Sequence, residues 1–263
     1  MKKISIALLL FFGFCRLLQA QTNVVVLGTN HVSSTRFNPD SILNVLNKYK
    51  PDVILMELDT SLIDDQGNFK GKAITIQENE EIAAREYKHL NRNVQLRGFD
   101  IEYRNHYYDT HKTFANEAMM DKAIDSLNKH GGLDRESMQI ISALHTATTT
   151  LDILSDMGIS MVNSKQYRQL AQFKQYWMYQ KQLEIIARVP KLKAFYDFYK
   201  DDATFWDVRN KKMIANIAHY AKLFIGKKII VLTGSMHTYY LLNGLQPLQS
   251  QYNFKLLEPP LGN

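Results

Sequence analysis

The apolar positions change period along the chain. Asn23 to Leu27 (NVVVL) is a short, continuous, β-branched run, as expected of a strand covered on both faces in a parallel sheet. A helix is predicted over Pro39 to Lys50, where Ile42, Leu43, Val45 and Leu46 fall at helical spacing and Pro39 suits the first turn. Asp52 to Leu58 (DVILMEL) predicts a second buried strand, Glu78 to Leu90 a helix with an acidic start, and Val94 to Phe99 (VQLRGF) a third strand. This alternation predicts an α/β fold, a mainly parallel sheet flanked by helices.

From about Tyr103 to Lys200 the strand pattern stops, and long helical patterns rich in aromatics and methionine replace it. A helical insertion or cap is therefore expected in the middle of the chain. A further helix is predicted over Thr204 to Phe224, with Thr204 and Asp207 spaced as a capping box and an apolar stripe from Phe205 to Phe224. Lys228 to Thr233 (KIIVLT) returns to strand, Met236 to Leu242 to helix, and Phe254 to Leu257 to a last strand before Pro259-Pro260.

The two ends of the chain add a location. Lys2 and Lys3, the apolar run Ile4 to Phe14 and the small Ala20 have the layout of a cleaved signal peptide over residues 1–20. Export to the periplasm or the medium is expected, with no stable membrane span, since the apolar run is shorter than the ~20 residues a spanning helix needs. The only cysteine, Cys15, falls inside that segment, so thiolate chemistry and disulfides are excluded from the remainder. Residues 21–263 are enough for a single α/β domain. Of the formal charge of +6, three cations (Lys2, Lys3, Arg16) belong to the signal. The rest is spread without a basic block, which gives nucleic-acid binding no support.

Two strand ends echo each other: VVVLGTNH (Val24 to His31) and IVLTGSMH (Ile230 to His237). With 12 glycines and 8 histidines in 263 residues, chance supplies about 0.4 Gly-x-x-His matches, so a pair at two strand ends carries weight. Gly28 and Gly234 are expected to turn the chain sharply as it leaves the sheet, which puts His31 and His237 at the carboxyl edge where open α/β sheets bind ligands. Glu57 sits near the end of the second strand inside an apolar run and needs a cation, a metal or hydrogen-bond donors. Two imidazoles and a carboxylate make a three-ligand metal set, His31, Glu57 and His237, with a position left for water. The same trio without metal suits general-base hydrolysis. Arg209 is a candidate for holding a substrate carboxylate or an oxyanion, with a surface arginine or a salt bridge to an acidic neighbour such as Asp207 or Asp202 as the plainer alternative. Asp100 is a candidate partner of a ligating histidine or of substrate, with a turn role as the plainer alternative, and Ser235 is a candidate substrate contact.

Taken together, GTNH (Gly28 to His31), PDVILMELD (Pro51 to Asp59), RNKKM (Arg209 to Met213) and VLTGSMH (Val231 to His237) resemble the TraB, PrgY, GumN and TIKI family, within the wider ChaN and erythromycin-esterase-like superfamily. The resemblance implies the characteristic polar residues His31, Glu57, Arg209 and His237, and a metal-dependent peptidase of the TIKI kind using manganese or cobalt. Val208 stands where the family often has glutamate. Three functions are carried forward: a metal-dependent peptidase or amidase that manganese, cobalt or zinc would restore after chelation; a metal-free esterase-like hydrolase; and a non-catalytic binder of peptide or haem. His145, on a helix of the insertion, is a candidate for lining the cleft, with a hydrogen-bonded interior residue as the plainer and preferred reading. The aromatic stretch from Tyr167 to Tyr199 fits a ligand groove, a helical core or a homodimer surface equally well.

Overall fold

A computed structural model describes residues 21–261. The expected signal over residues 1–20, with Cys15, lies outside the described residues. Five strands, β1 (Thr22–Thr29), β2 (Val53–Asp59), β3 (Gln95–Asp100), β4 (Lys228–Gly234) and β5 (Phe254–Leu257), form one sheet in the order β3-β2-β4-β1-β5. Every pairing is parallel, so the α/β architecture expected from the alternation is the observed one.

Both faces of the sheet are buried, which explains the unbroken apolar strands. One face, with Val25, Leu27, Ile54 and Met56, packs against α1 (Pro39–Tyr49) through Ile42 and Leu46 and against α2 (Asn79–Leu90) through Ala83, Ala84 and Tyr87. The other face, with Val24, Val26, Val53, Leu55 and Val231, packs against Met213, Ile217 and Ala221 and against Leu241 and Leu245. Asn38 and Ser41 close a reciprocal cap at the start of α1, with Pro39 in its first turn as predicted.

The middle of the chain is helical, as expected. α3 (Arg104–His111), α4 (Thr113–Lys129), α5 (Arg135–Ser155), α6 (Lys165–Tyr176) and α7 (Gln182–Arg188) build a cap, and a π-helical turn at Trp177–Lys181 joins the last two. The cap has its own apolar cluster, including Met120, Ile124, Ile140, Ile185 and Leu192. Of the aromatic stretch, Trp177, Phe195, Tyr196, Phe198 and Tyr199 belong to this cluster.

One boundary differs. α8 runs from Tyr196 to Leu223, so it begins well before Thr204. Thr204 lies inside it and returns its hydroxyl to the Lys200 carbonyl at 2.8 Å; the Thr204/Asp207 capping box is not formed. No proline or glycine between Tyr196 and Thr204 stops the helix, so the capping spacing was coincidental. α9 (Thr238–Leu245) follows β4 after a single turn at Ser235–His237. Among the described residues no helix is long and apolar enough to cross a membrane.

Candidate active site

Strand order brings the motifs together. β4 is inserted between β1 and β2, with Thr29 beside Gly234 and Met56 beside Leu232. The carboxyl ends of three strands therefore lie side by side, and each delivers one motif to the same rim. Glu57 continues the face of Val53 and Leu55, so its carboxylate emerges on the α8 side, where Arg209 waits.

Arg209 is only 5% exposed and ties that side of the rim together. Its Nε and Nη2 donate to the two oxygens of Asp100 at 2.9 and 2.8 Å, Nη2 also donates to Glu57 Oε1 at 2.5 Å, and Nη1 donates to His237 Nε2 at 3.2 Å. Glu57 Oε2 accepts from the Thr233 hydroxyl and the Gly234 amide, both at 2.7 Å. Burial opposes the charge on Glu57, but the field of His237, Arg209 and His31 outweighs it and holds the carboxyl well below the usual range. With His237 itself neutral, Arg209 and the protonated His31 are the cations that do this.

The neutrality of His237 follows from its surroundings. Burial pushes the imidazole down to about 4; Glu57 opposes that and Arg209 reinforces it. Because Nε2 accepts from an arginine, the ring proton sits on Nδ1 and donates to Asn210 Oδ1 at 2.7 Å. Trp206 stacks on the ring with centroids 4.3 Å apart. Arg209 and Asn210 are successive residues of α8, so one helix turn fixes both nitrogens.

His31 occupies a different environment. Its side chain is 46% exposed, and Nδ1 lies 2.5 Å from Glu80 Oε1 and 3.1 Å from Glu78 Oε2. These two hydrogen bonds, against some opposition from burial and with help from the Glu80 and Glu57 charges, push the imidazole up to about 11. The start of α2 also clasps the loop itself, since the Asn79 amide donates to the His31 carbonyl at 3.1 Å and Asn79 Nδ2 to the Asn30 carbonyl at 2.7 Å.

The two halves meet over Gly234. A Cβ there would sit 3.3 Å from His31 Nε2, 3.5 Å from Glu57 Oε2 and 3.7 Å from His237 Cδ2. At Gly28 it would sit 2.8 Å from the Thr238 methyl and 3.3 Å from Asn163 Oδ1. Gly28 and Gly234 are absent from the positive-φ positions. The expected sharp turn is thus replaced by a different reason for glycine: the rim leaves no room for a side chain. Above Gly234 opens a cleft of about 510 Å³, lined by Asn30, His31, Gln175, Trp206, Ser235 and His237 among others. A larger hollow of about 800 Å³ between Arg168, Tyr239 and Pro259 contains none of these groups.

The chemistry is divided differently from the expectation. Asp100 is fully buried and its oxygens are taken by Arg209, Arg104 and the Ile101 amide, so it orients Arg209 and does not line the cleft. Arg209 is likewise engaged with Glu57, Asp100 and His237, and is not open to a substrate carboxylate; its partners are also not Asp207 or Asp202. Ser235 does line the cleft, with Tyr167 Oη at 3.1 Å and Asn30 Oδ1 at 3.3 Å from its hydroxyl. His145 is exposed, so it is not an interior residue.

The divalent-metal set His31, Glu57 and His237 does not assemble either. Both oxygens of Glu57 are bonded, and the lone pair of His237 Nε2 faces a guanidinium, which repels a cation there. Among the described residues the side chains whose donor atoms converge within 4.8 Å are His31, Glu78 and Glu80. Glu80 is 1% exposed, and its Oε2 is buried with no hydrogen-bond partner. One imidazole and two carboxylates suit manganese, cobalt or zinc. In the sequence Glu78 and Glu80 read as ordinary acidic residues opening a helix; the excess of acid over what a helix start needs, Glu78, Glu80 and Glu81 together, was the available signal. Nothing local marked Asn163, Trp206 or Asn210.

No protein-family model, no curated protein and no solved structure matches this chain. The family resemblance therefore rests on the four motifs named above.

Proposed function

We propose that the protein is an exported hydrolase of carboxylic acid derivatives, a peptidase or amidase in which a divalent ion assists. The observation that carries this is that His31 Nε2, Glu57 Oε2 and the His237 ring all lie within 4 Å of where a side chain on Gly234 would begin, beneath an open cleft that His31, Gly234 and His237 line. The cleft binds the substrate. Trp206 closes one side of His237, Asn210 fixes its tautomer, and the Arg209–Glu57–Asp100 network holds the floor rigid. His31, protonated through Glu78 and Glu80, presents its second nitrogen towards Gly234. The convergence of His31, Glu78 and Glu80, with Glu80 Oε2 buried and unpartnered, favours the metal-assisted form over a purely side-chain base. An ion held by His31 Nδ1, Glu78 and Glu80 would displace the proton that the two carboxylates keep on that nitrogen in the ion-free protein, and when bound would lower the pKa of its water to about 7 and polarise a carbonyl.

The test is hydrolysis of a panel of fluorogenic peptides, anilides and esters by protein freed of metal and then reloaded. Activity should vanish on chelation, return with manganese, cobalt or zinc, and be lost in Glu80→Gln and His31→Ala. Activity that survives chelation but not His31→Ala would assign the metal-free hydrolase instead. Equal turnover by wild type and His31→Ala would sink both.

A further inference from the structure

The cap contributes to the cleft a polar group that neither the packing nor the rim network uses. The buried face of α6 repeats every four residues as Tyr167, Ala171 and Gln175, and spacing alone calls for an apolar side chain at the third. Gln175 is 4% exposed, lines the cleft with Trp206 and His237, and its Oε1 has no hydrogen-bond partner. A buried carboxamide oxygen left unpaired is unfavourable, and such groups in native proteins call for a reason. A second feature singles out the same wall. Directly after Gln175 the helix widens into the π turn Trp177–Lys181, a distortion that gathers at functional sites. Tyr179 of that turn stacks on Trp206 at 5.5 Å, and Trp206 stacks on His237.

We propose that Gln175 is a specificity-determining residue whose carboxamide oxygen accepts an N–H of the substrate, so that the cleft selects a peptide or secondary amide over the matching ester. The kinetic side of this rests on the hydrolase reading; the binding side does not. An unpaired acceptor is complementary to a donor that an amide has and an ester lacks, and discrimination by such a group is strong because the wrong ligand leaves it unpaired.

The experiment uses N-acetylated peptides and depsipeptides in which each N–H is replaced in turn by an ester oxygen. In a Trp177→Phe background Trp206 is the remaining tryptophan, since the chain has two, and its fluorescence reports binding in the cleft. Replacing one particular N–H should weaken binding about tenfold or more in this protein and less than about threefold once Gln175→Met is added. Gln175→Met should melt no lower than its parent, because it removes an unpaired buried acceptor. The same peptide-to-ester ratio with and without Gln175→Met, no binding of any peptide, or a Gln175→Met protein that melts several degrees lower would each overturn the proposal. Selective binding without any hydrolysis would instead remove the hydrolase reading and leave the role of Gln175 intact.

Discussion

Gly234 is the residue on which the two sides of the rim close. Its backbone, at φ −51° and ψ 134°, is open to any residue, so Gly234→Ala should fold. The added methyl falls 3.3 Å from His31 Nε2 and 3.5 Å from Glu57 Oε2, and hydrolysis should drop about a hundredfold, as expected when reacting groups shift by ~1 Å. Full activity with an unchanged melting temperature would contradict that. His237 offers a pH test. Its folded value is about 4, while an exposed imidazole titrates near 6.5. Between these values the unfolded chain takes up a proton that the folded chain refuses, so stability is full above pH 6.5 and is lost as pH falls towards 4. By pH 5 this amounts to about 2 kcal/mol. His31, with its raised value, contributes fully below pH 6.5 and changes only above it; Glu81, Glu117 and Asp202, whose carboxyls burial pushes up, act with the opposite sign across the same range, so the His237 part is read as the difference between wild type and the His237 variant. Chemical denaturation at pH 6.5 and 5 should show a flatter dependence in His237→Gln; parallel curves would refute the assignment. At this scale the sequence identified His31, Glu57, Arg209 and His237 as the polar residues of the rim, because each interrupts or follows an apolar strand or stripe. It could not divide them into a saturated side and an acidic side, since Glu78, Glu80 and Asn210 reach the site through tertiary contacts that leave no period in the chain.

Among the elements, α8 matters most to the site. It packs Met213, Ile217 and Ala221 on the sheet and turns Arg209 and Asn210 inward one turn earlier. Arg209→Met keeps the length of the side chain but removes the cation that Glu57 and Asp100 share, leaving Asp100 with Arg104 as its remaining cation and Glu57 with its Thr233 and Gly234 donors. Breaking a buried pair in this way costs about 3–5 kcal/mol, and a fall in melting temperature on the order of 10 °C is expected by circular dichroism. A change within ~2 °C would mean that the network is not holding the rim. β1 is fixed by a comparable device from the cap: Asn163 Oδ1 accepts from the Gly28 amide at 2.7 Å and its Nδ2 donates to the Gly28 carbonyl at 3.0 Å. The strands were legible because a doubly covered strand must be apolar throughout. The start of α8 was not, because eight further residues of cap sequence continue it without a stop signal.

For the whole molecule, the decisive fact is topological. Inserting the last long strand between the first two brings together motifs from opposite ends of the chain, and the cap between them supplies Ser155, Asp156 and Gln175 to the wall of the cleft. The parallel α/β class followed from the alternation of strand and helix; the strand order did not, since any of several parallel arrangements satisfies the same apolar runs. The most direct test is crystallography of the protein soaked in manganese, recorded for anomalous scattering. A single peak should lie between His31 Nδ1, Glu78 and Glu80, with Arg209 still joined to Glu57 and His237. A peak shared by His31, Glu57 and His237, or rings of His31 and His237 separated on opposite sides of Gly234, would contradict it.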